Sequence, residues 1–425
     1  MNTLPFTILA GLIAMAWCAV LVILLGASRK QPRKLFPLPP GDVEQGLKRL
    51  SVIVPARNEE GCIEACIRSL MRQDYPNLEV IAVNDRSTDQ TAAILDRLEL
   101  EFPDKFRAIH ITTLPEGWFG KPHALDVAMQ SATGSLVLFT DSDCEFLAPS
   151  ALRTAVLEFE RRRLDFYTIG ACYTMPTLRE SLFVPACSEV VLQWLRPERV
   201  EDPNWPDTFA NGAFIMVNRL SFEMLGGWSC VRTKVSEDFE LARTFKRNGF
   251  RTGLAHANGI YQTRSYETFR ESWNGWSRIF AGSLTTKQLV TTVIRMSLMT
   301  MMPLMVMLWA TTQAIVTGNP AIFLEGAMPA IVWAYLIRTG IDFMVYGALG
   351  APVTVAFLAP LGRMFALAAV TRAALARMGL AKTHWRGASF TANRMITLPQ
   401  PAASLEIQTR EIRGELVRAR HAAAS

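Results

Sequence analysis

The sequence predicts an α/β domain with a mostly parallel sheet, joined to apolar helices at both ends of the chain. Three observations carry that reading. Apolar residues make up 50% of the 425 residues, but they are concentrated at Phe6–Gly26 and again beyond about Gln288. In the charged stretch between, short apolar runs alternate with helical periodicity, the pattern of β-α-β units that build parallel sheets. Finally, two of the strand-like runs end in acidic residues, Asp85 and the Asp141/Asp143 pair.

Phe6–Gly26 is uncharged and long enough to cross a bilayer, which takes roughly 20 residues. Met1–Pro5 carries no basic residue and the apolar run is too long for a signal peptide, so an uncleaved anchor is expected. Arg29, Lys30, Arg33 and Lys34 follow directly, and positive charge beside a span marks the cytoplasmic side. Four prolines between Pro32 and Gly41 read as a linker. Strands are predicted at Leu50–Ala56, Leu78–Asp85, Phe106–Thr112 and Ser135–Thr140. Helices are predicted at Glu60–Arg72, after Ser87, where Ser87 and Gln90 have capping-box spacing, and at Lys121–Ala132. The chain divides into an anchor (1–30), a linker (31–49), a catalytic domain (50–285), membrane helices (286–375) and a cytoplasmic tail (376–425).

The later apolar segments, Leu289–Thr317, Ala327–Leu349 and Val353–Val370, contain Arg295, Arg338, Asp342 and Arg363, which are costly in hydrocarbon. An outside amino terminus and four spans would put the tail outside, against the basic Arg372, Arg377, Lys382 and Arg386. One interfacial segment removes the conflict. The seven cysteines show no zinc or disulfide spacing and read as free thiols of a reducing compartment. The net charge of +6 is modest and lies near the apolar segments, so anionic lipid explains it better than nucleic acid.

In open parallel sheets ligands bind beyond the carboxyl ends of the strands, so Asp85, Asp141 and Asp143 share one rim. Neither a GxGxxG nor a GxxxxGK[ST] phosphate loop is present. The Asp141-Ser-Asp143 triplet suits a hard divalent cation, Mg²⁺ or Mn²⁺, bridging a diphosphate. Ser236-Glu237-Asp238-Phe239 reads either as a capped, acidic first helical turn or as the source of a general base, Asp238. His123 and His256 lack partners at metal spacing and read as structural.

Val54-Pro-Ala-Arg-Asn-Glu-Glu60, Val83-Asn-Asp-Arg-Ser-Thr-Asp89, Gly120-Lys121, Phe139-Thr-Asp-Ser-Asp143, Asn211-Gly-Ala-Phe214, Gly226-Gly-Trp228 and Glu237-Asp238 occur in an order that resembles family-2 glycosyltransferases. The resemblance covers about Leu50–Arg278 and implies the GT-A nucleotide-diphospho-sugar transferase fold and a single inverting displacement. It further implies that Pro55, Ala56, Glu59 and Asp85 line the nucleotide pocket and that Lys121 faces the diphosphate. Asp141 and Asp143 would meet the sugar phosphate and the metal, and Asp238, with Glu237, would be the base. The Q/RxxRW motif of processive synthases is missing, since no Arg-Trp dipeptide occurs anywhere in the chain. Trp273-Asn-Gly-Trp276-Ser-Arg278 and Trp385-Arg386-Gly387 are more similar to carotenoid (chlorobactene-type) and hopanoid-associated glycosyltransferases. Trp273, Trp276 and Arg278 are therefore expected either to bind the acceptor or, for the tryptophans, to anchor at the membrane interface. The implied enzyme is a non-processive, multi-pass protein of the cell inner membrane with a cytoplasmic catalytic domain. It takes a nucleotide-sugar donor, expected to be a UDP-sugar, and a lipid acceptor: a carotenoid, hopanoid or other glycolipid precursor. A polyprenyl-phosphate sugar transferase and, more remotely, a nucleotidyltransferase are the alternatives.

Overall fold

The computed structural model describes residues 4–27, 33–39, 46–194, 196, 199–206, 208–234, 236–264, 266–319, 328–385, 388–391 and 394–397. The expected basic pair at 29 and 30, Arg386 and most of the expected tail lie outside them. The first eleven strands are β1 (Arg33–Leu35), β2 (Leu50–Ala56), β3 (Leu78–Asp85), β4 (Phe106–Ile111), β5 (Leu136–Phe139), β6 (Cys144–Phe146), β7 (Phe166–Gly170), β8 (Cys172–Thr174), β9 (Ile215–Asn218), β10 (Thr252–Ala257) and β11 (Tyr261–Arg264). Eight of them form one sheet in the order β1-β10-β7-β9-β5-β2-β3-β4, and β6-β11-β8 form a second, smaller one. In the large sheet only β9 runs antiparallel to its neighbours, β5 and β7. The expected mostly parallel α/β sheet is therefore what the chain forms.

Thirteen helices accompany the strands among the described residues. They are α1 (Leu4–Ala27), α2 (Ile63–Met71), α3 (Thr91–Glu101), α4 (Gly120–Met129), α5 (Ala151–Arg161), α6 (Leu178–Trp194), α7 (Arg219–Met224), α8 (Glu237–Arg247), α9 (Phe269–Ser283), α10 (Thr286–Met296), α11 (Met302–Thr317), α12 (Met328–Ala348) and α13 (Ala359–Arg377). The strand period of two sends Val52 and Val54 to the face covered by α2, α3 and α5, and Ile53 to the face covered by α4, α7 and α8. With both faces covered, β2 is buried almost end to end, which is why its sequence reads as a continuous apolar run.

Two expected caps are not made. The Ser87 hydroxyl accepts instead from the Asn58 amide at 3.0 Å, and the amide of Thr91, where α3 begins, is satisfied by Asp89 at 3.0 Å. Ser236 does stand at the start of α8, but its side chain makes no capping bond. The first catalytic helix starts at Ile63 rather than Glu60, because Glu59 and Glu60 donate their amides to Thr91 and Asp89. The expected linker contributes β1 to the sheet edge and is tied to α5 by Ser150 donating to the Leu38 carbonyl at 2.7 Å.

Among the described residues three helices are long and apolar enough to cross a membrane: the continuous α10–α11 stretch Thr286–Thr317, α12, and Val353–Arg377, which contains α13. A π turn, Ser297–Met301, joins α10 to α11. Helix α1 packs along α12, with Ala10 beside Met328 and Ile331, and Ile13 and Trp17 beside Ala334 and Ile341. The pairs advance together in sequence, so the two helices run parallel. Helix α13 behaves differently. Its Phe365, Ala366, Ala369, Val370 and Ala373 are buried in a third core with residues of α6, α9 and α10. Past it, β12 (Thr383–Trp385), β13 (Ala388–Thr391) and β14 (Arg394–Thr397) form a small antiparallel sheet whose first strand lies against α9.

Candidate active site

The order of strands in the sheet lays the candidate residues along one rim. Asp85 ends β3, Pro55 and Ala56 end β2, and Asp141–Asp143 follow β5. Next in line is β9, and because it is antiparallel its amino end reaches the same rim: Phe139 pairs with Ile215. The turn Asn211–Phe214 leads into it, and the start of α8 lies opposite. The Asn211 amide group donates to the Ile169 carbonyl at 3.2 Å and to the Tyr261 hydroxyl at 2.9 Å, while the Thr140 hydroxyl donates to the Ala213 carbonyl at 2.8 Å. This turn and the Asp141 loop are therefore one braced unit.

Gly212 sits at its centre. A methyl group placed there would come within 3.2 Å of Lys121 Nζ, 3.3 Å of Asp238 Oδ2 and 3.9 Å of Asp141 Oδ2. Those distances show that residues far apart in sequence converge on one small volume. Lys121 Nζ stands 2.6 Å from Asp141 Oδ1 and 3.5 Å from Glu237 Oε1. Burial works against its charge, but Asp141, Glu237 and Asp238 outweigh that and hold its pKa above the ordinary lysine value. The ammonium is thus a bridge between Asp141 and the Glu237/Asp238 pair, a role the resemblance did not imply.

The Asp238 carboxyl is pushed up to about 7, first by burial and then by the charge of Glu237, with Lys121, the Phe239 amide and Arg278 opposing. A carboxylate with that pKa is poised to take a proton near neutrality. Asp143 opens to solvent at the mouth of the cleft. Even so, the protein packed around it and the charges of Asp141 and Glu59 raise its pKa, against a hydrogen bond from Thr263 and the pull of Lys121. Among the described residues no cluster of three His, Cys, Asp or Glu is placed to hold a metal alone. Asp141 and Asp143 instead offer two hard oxygen donors in a locally over-acidic spot. That fits a cation such as Mg²⁺ or Mn²⁺, which is bound through one or two carboxylates and completes its shell with phosphate and water. Cys66 and Cys144 lie buried beneath the pair with thiol pKa values pushed up by burial, so they act as packing.

Asp85 is buried and its carboxylate is gripped by the neighbouring Arg86 at 2.7 and 3.0 Å. A methyl group at Gly120 would lie 2.6 Å from Asp85 Oδ2, so only glycine lets α4 start this close to β3. Glu59 reaches the cleft through its effect on Asp143. Gly226 and Gly227 both adopt positive φ, 88° and 58°, and turn Trp228 into the core, where its ring lies 4.8 Å from that of Phe139. That motif is a support for the rim.

Helix α9 begins at a capping box, Thr268 with Glu271. Trp276 is 5% exposed and packs in the helical core beside Phe280. Trp273 is half-buried against Phe365 of α13, with the Arg372 guanidinium 5.4 Å from its ring centre. Arg278, further along α9, is close enough to Asp238 to lower its pKa. Gly212 and Thr263 are the site residues that sequence reasoning did not assign. The Asn-Gly-Ala-Phe motif carried a signal for the first; nothing in the sequence pointed to the second.

Residues 51–222 match the profile described as Glycosyl transferase family 2. The chain carries a family-2 glycosyltransferase domain. Asp238 and α9 follow the matched segment. The 4,4'-diaponeurosporenoate glycosyltransferases of Staphylococcus aureus strains USA300 and MRSA252 are 23% and 22% identical to this chain, over 58% and 54% of it. The aligned stretch spans 65% and 60% of those relatives' own lengths, under two thirds. Among solved structures, a mannosyltransferase from Pyrobaculum calidifontis in complex with GDP-Man and Mn²⁺ is 19% identical, covers 86% of this chain and 98% of its own, and has a TM-score of 0.49. TarS of S. aureus in complex with UDP-GlcNAc is 17% identical over 82% of this chain and 99% of its own, with a TM-score of 0.38. The matched segment takes in β2–β9 with Asp85, Lys121, Asp141, Asp143 and Gly212 of the rim, and the chain beyond α9 holds helices long and apolar enough to cross a membrane.

Proposed function

We propose that the protein is an inverting, non-processive glycosyltransferase that moves a sugar from a nucleotide-sugar donor to a lipid acceptor held in the membrane. The observation that carries this is the convergence of Lys121, Asp141 and Asp238 around Gly212, on a rim joined by α9 to helices long and apolar enough to cross a membrane. The nucleotide lies over the ends of β2 and β3, near Pro55, Ala56, Glu59 and Asp85, and its diphosphate extends toward Asp141. A bound Mg²⁺ or Mn²⁺, held by Asp143 with Asp141, would neutralise charge on the departing diphosphate. Asp238 takes the proton of the acceptor hydroxyl as that oxygen attacks the anomeric carbon. Lys121 keeps the donor and base ends of the cleft electrostatically matched, and Arg278 and Trp273 line the acceptor's approach along α9. The S. aureus relatives are named for 4,4'-diaponeurosporenoate, which supports a lipid acceptor.

The same reading assigns a topology. Helices α1, α11 and α12 are the spans, and α13, buried against α6 and α9, stays at the cytoplasmic surface. The parallel course of α1 and α12 supports this, because both then run from outside to inside.

The test is transfer by the full-length protein in lipid nanodiscs, using labelled UDP- and GDP-sugars with carotenoid, hopanoid and polyprenyl-phosphate acceptors. Label is expected in the organic phase with one donor class, and EDTA should abolish it reversibly. Label that never leaves the aqueous phase sinks the proposal; full transfer in EDTA removes the metal from it.

A further inference from the structure

The four charges that looked costly in the apolar segments are largely explained by one buried cluster. Arg338 of α12 donates from both terminal nitrogens to Glu189 of α6, at 2.7 and 2.6 Å, and from Nη2 to Asp342 at 2.7 Å. Arg363 of α13 pairs with the other oxygen of Asp342. Arg338, Asp342 and Arg363 are 4%, 1% and 4% exposed. Trp17 of α1 covers the Arg338 guanidinium at 4.8 Å, and the Tyr346 hydroxyl donates to the Leu182 carbonyl of α6 at 3.2 Å. One point therefore joins the anchor, the α12 span, the surface helix α13 and α6, which follows the small sheet of the catalytic domain.

Two guanidiniums and two carboxylates cancel, so the cluster is tolerable in a low-dielectric setting, but desolvation leaves such networks little net stability to give. What they give is geometry. A bidentate guanidinium–carboxylate pair has one good arrangement, whereas an apolar contact can slide and rotate at small cost. The arginines are also not fully satisfied: both Nε atoms are buried without a hydrogen-bond partner. A network chosen for stability alone would not leave donors unmet.

We propose that Glu189, Arg338, Asp342 and Arg363 are positioning residues that clamp the catalytic rim at one height and tilt above the bilayer, so that Asp238 meets an acceptor group at fixed depth. This rests on the reading of α1 and α12 as membrane spans and of the acceptor as a membrane lipid. None of the clamp residues belongs to the rim, so its loss acts on the encounter with the lipid and leaves the chemistry of the donor alone.

The test uses the full chain in nanodiscs with a dye on Leu100→Cys, since Leu100 is 85% exposed on α3, after replacing the exposed Cys18 and Cys230 by serine. Energy transfer to a headgroup dye reads the height of the domain. The variant is the fully apolar E189L/R338M/D342L/R363M, because complete replacement leaves no unpaired charge to unfold the protein; Arg338→Lys, which keeps the charge without the fork, is the second variant. Wild type should give one narrow distance, and both variants a shifted or broadened one. Transfer to bilayer acceptor should fall at least about tenfold, as misplacement of a reacting group does, with slow hydrolysis of the donor unchanged. An unchanged distance distribution overturns the clamp, as does a parallel loss of hydrolysis and transfer. If wild type transferred sugar only to water-soluble acceptors, the functional reading would fail while the distance arm still decided the clamp.

Discussion

At the residue scale the chemistry turns on Asp238, and its environment makes the prediction specific. Burial and the charge of Glu237 bring its carboxyl to about 7. A base works only when unprotonated, so kcat/KM should fall about tenfold per pH unit below that value, on one acid limb. Glu237→Gln removes the second cause of the rise, and the limb should move to lower pH. A limb unmoved by that change would show that the titrating group is another one. Asp238→Asn keeps the shape and loses the base, so transfer should drop at least about a hundredfold, with nucleotide-sugar affinity and thermal stability nearly unchanged. Gly212 gives an independent check on the geometry. In Gly212→Ala the added methyl lies at 3.2 Å from Lys121 Nζ and 3.3 Å from Asp238 Oδ2, in the volume that reacting groups must enter. Transfer should fall sharply while Tm holds; wild-type activity in this variant would mean that the reaction happens elsewhere on the rim.

At the scale of elements, the strands were legible because burial on both faces writes itself into the sequence as unbroken apolar runs, and β2, β3 and β5 match the expected segments to within a residue or so at each end. The helix starts were less legible. Ser87 has the spacing of a cap, but the Asn58 amide from the neighbouring loop competes for the same hydroxyl and wins, a contact between segments that no local pattern encodes. Asp238 was recognisable from its motif. Thr263 was not, because it is brought to Asp143, its hydrogen-bond partner, by the pairing of β11 with β6. The same limit hid the packing of α13 on α6. At Gly362 an added Cβ would lie 2.3 Å from the Leu182 carbonyl oxygen, so the two helices touch backbone to backbone there. Gly362→Ala must push them apart and should lower stability by about 1–3 kcal/mol, the usual cost of overpacking, seen as a reduced Tm in detergent. Gly340 of α12 has nothing within 4 Å of the corresponding position. Gly340→Ala should be neutral or stabilising by up to about 1 kcal/mol through helix propensity, and equal losses at the two sites would remove the packing argument.

At the scale of the whole molecule, the open question left by the sequence was which of four apolar segments fails to cross. Counting all four as spans puts the tail on the far side of the membrane from the domain, yet β12 lies against α9 and the Arg372 guanidinium donates to the Lys382 carbonyl at 3.2 Å. A strand packed on the catalytic domain must share its compartment, so one segment stays on the near side. In the proposed arrangement that segment is α13, whose inner face is already spent on α6, α9 and α10. Leu361, Met364 and Met378 on or just beyond it remain exposed, and Arg377 stands in its last turn. An apolar stripe with basic residues at its edge suits the boundary between headgroups and acyl chains. The proposed arrangement therefore predicts an outside amino terminus, a cytoplasmic domain, an outside loop between α11 and α12, and a cytoplasmic tail. Single cysteines in a cysteine-free background, probed with a membrane-impermeant thiol reagent on intact cells, measure this directly. Asn319→Cys, just after α11, should label from outside, whereas Leu100→Cys and Leu380→Cys should label only after the membrane is opened. External labelling at position 380 with none at 100 would make α13 a true span and would separate β12 from α9, which the contact between them forbids.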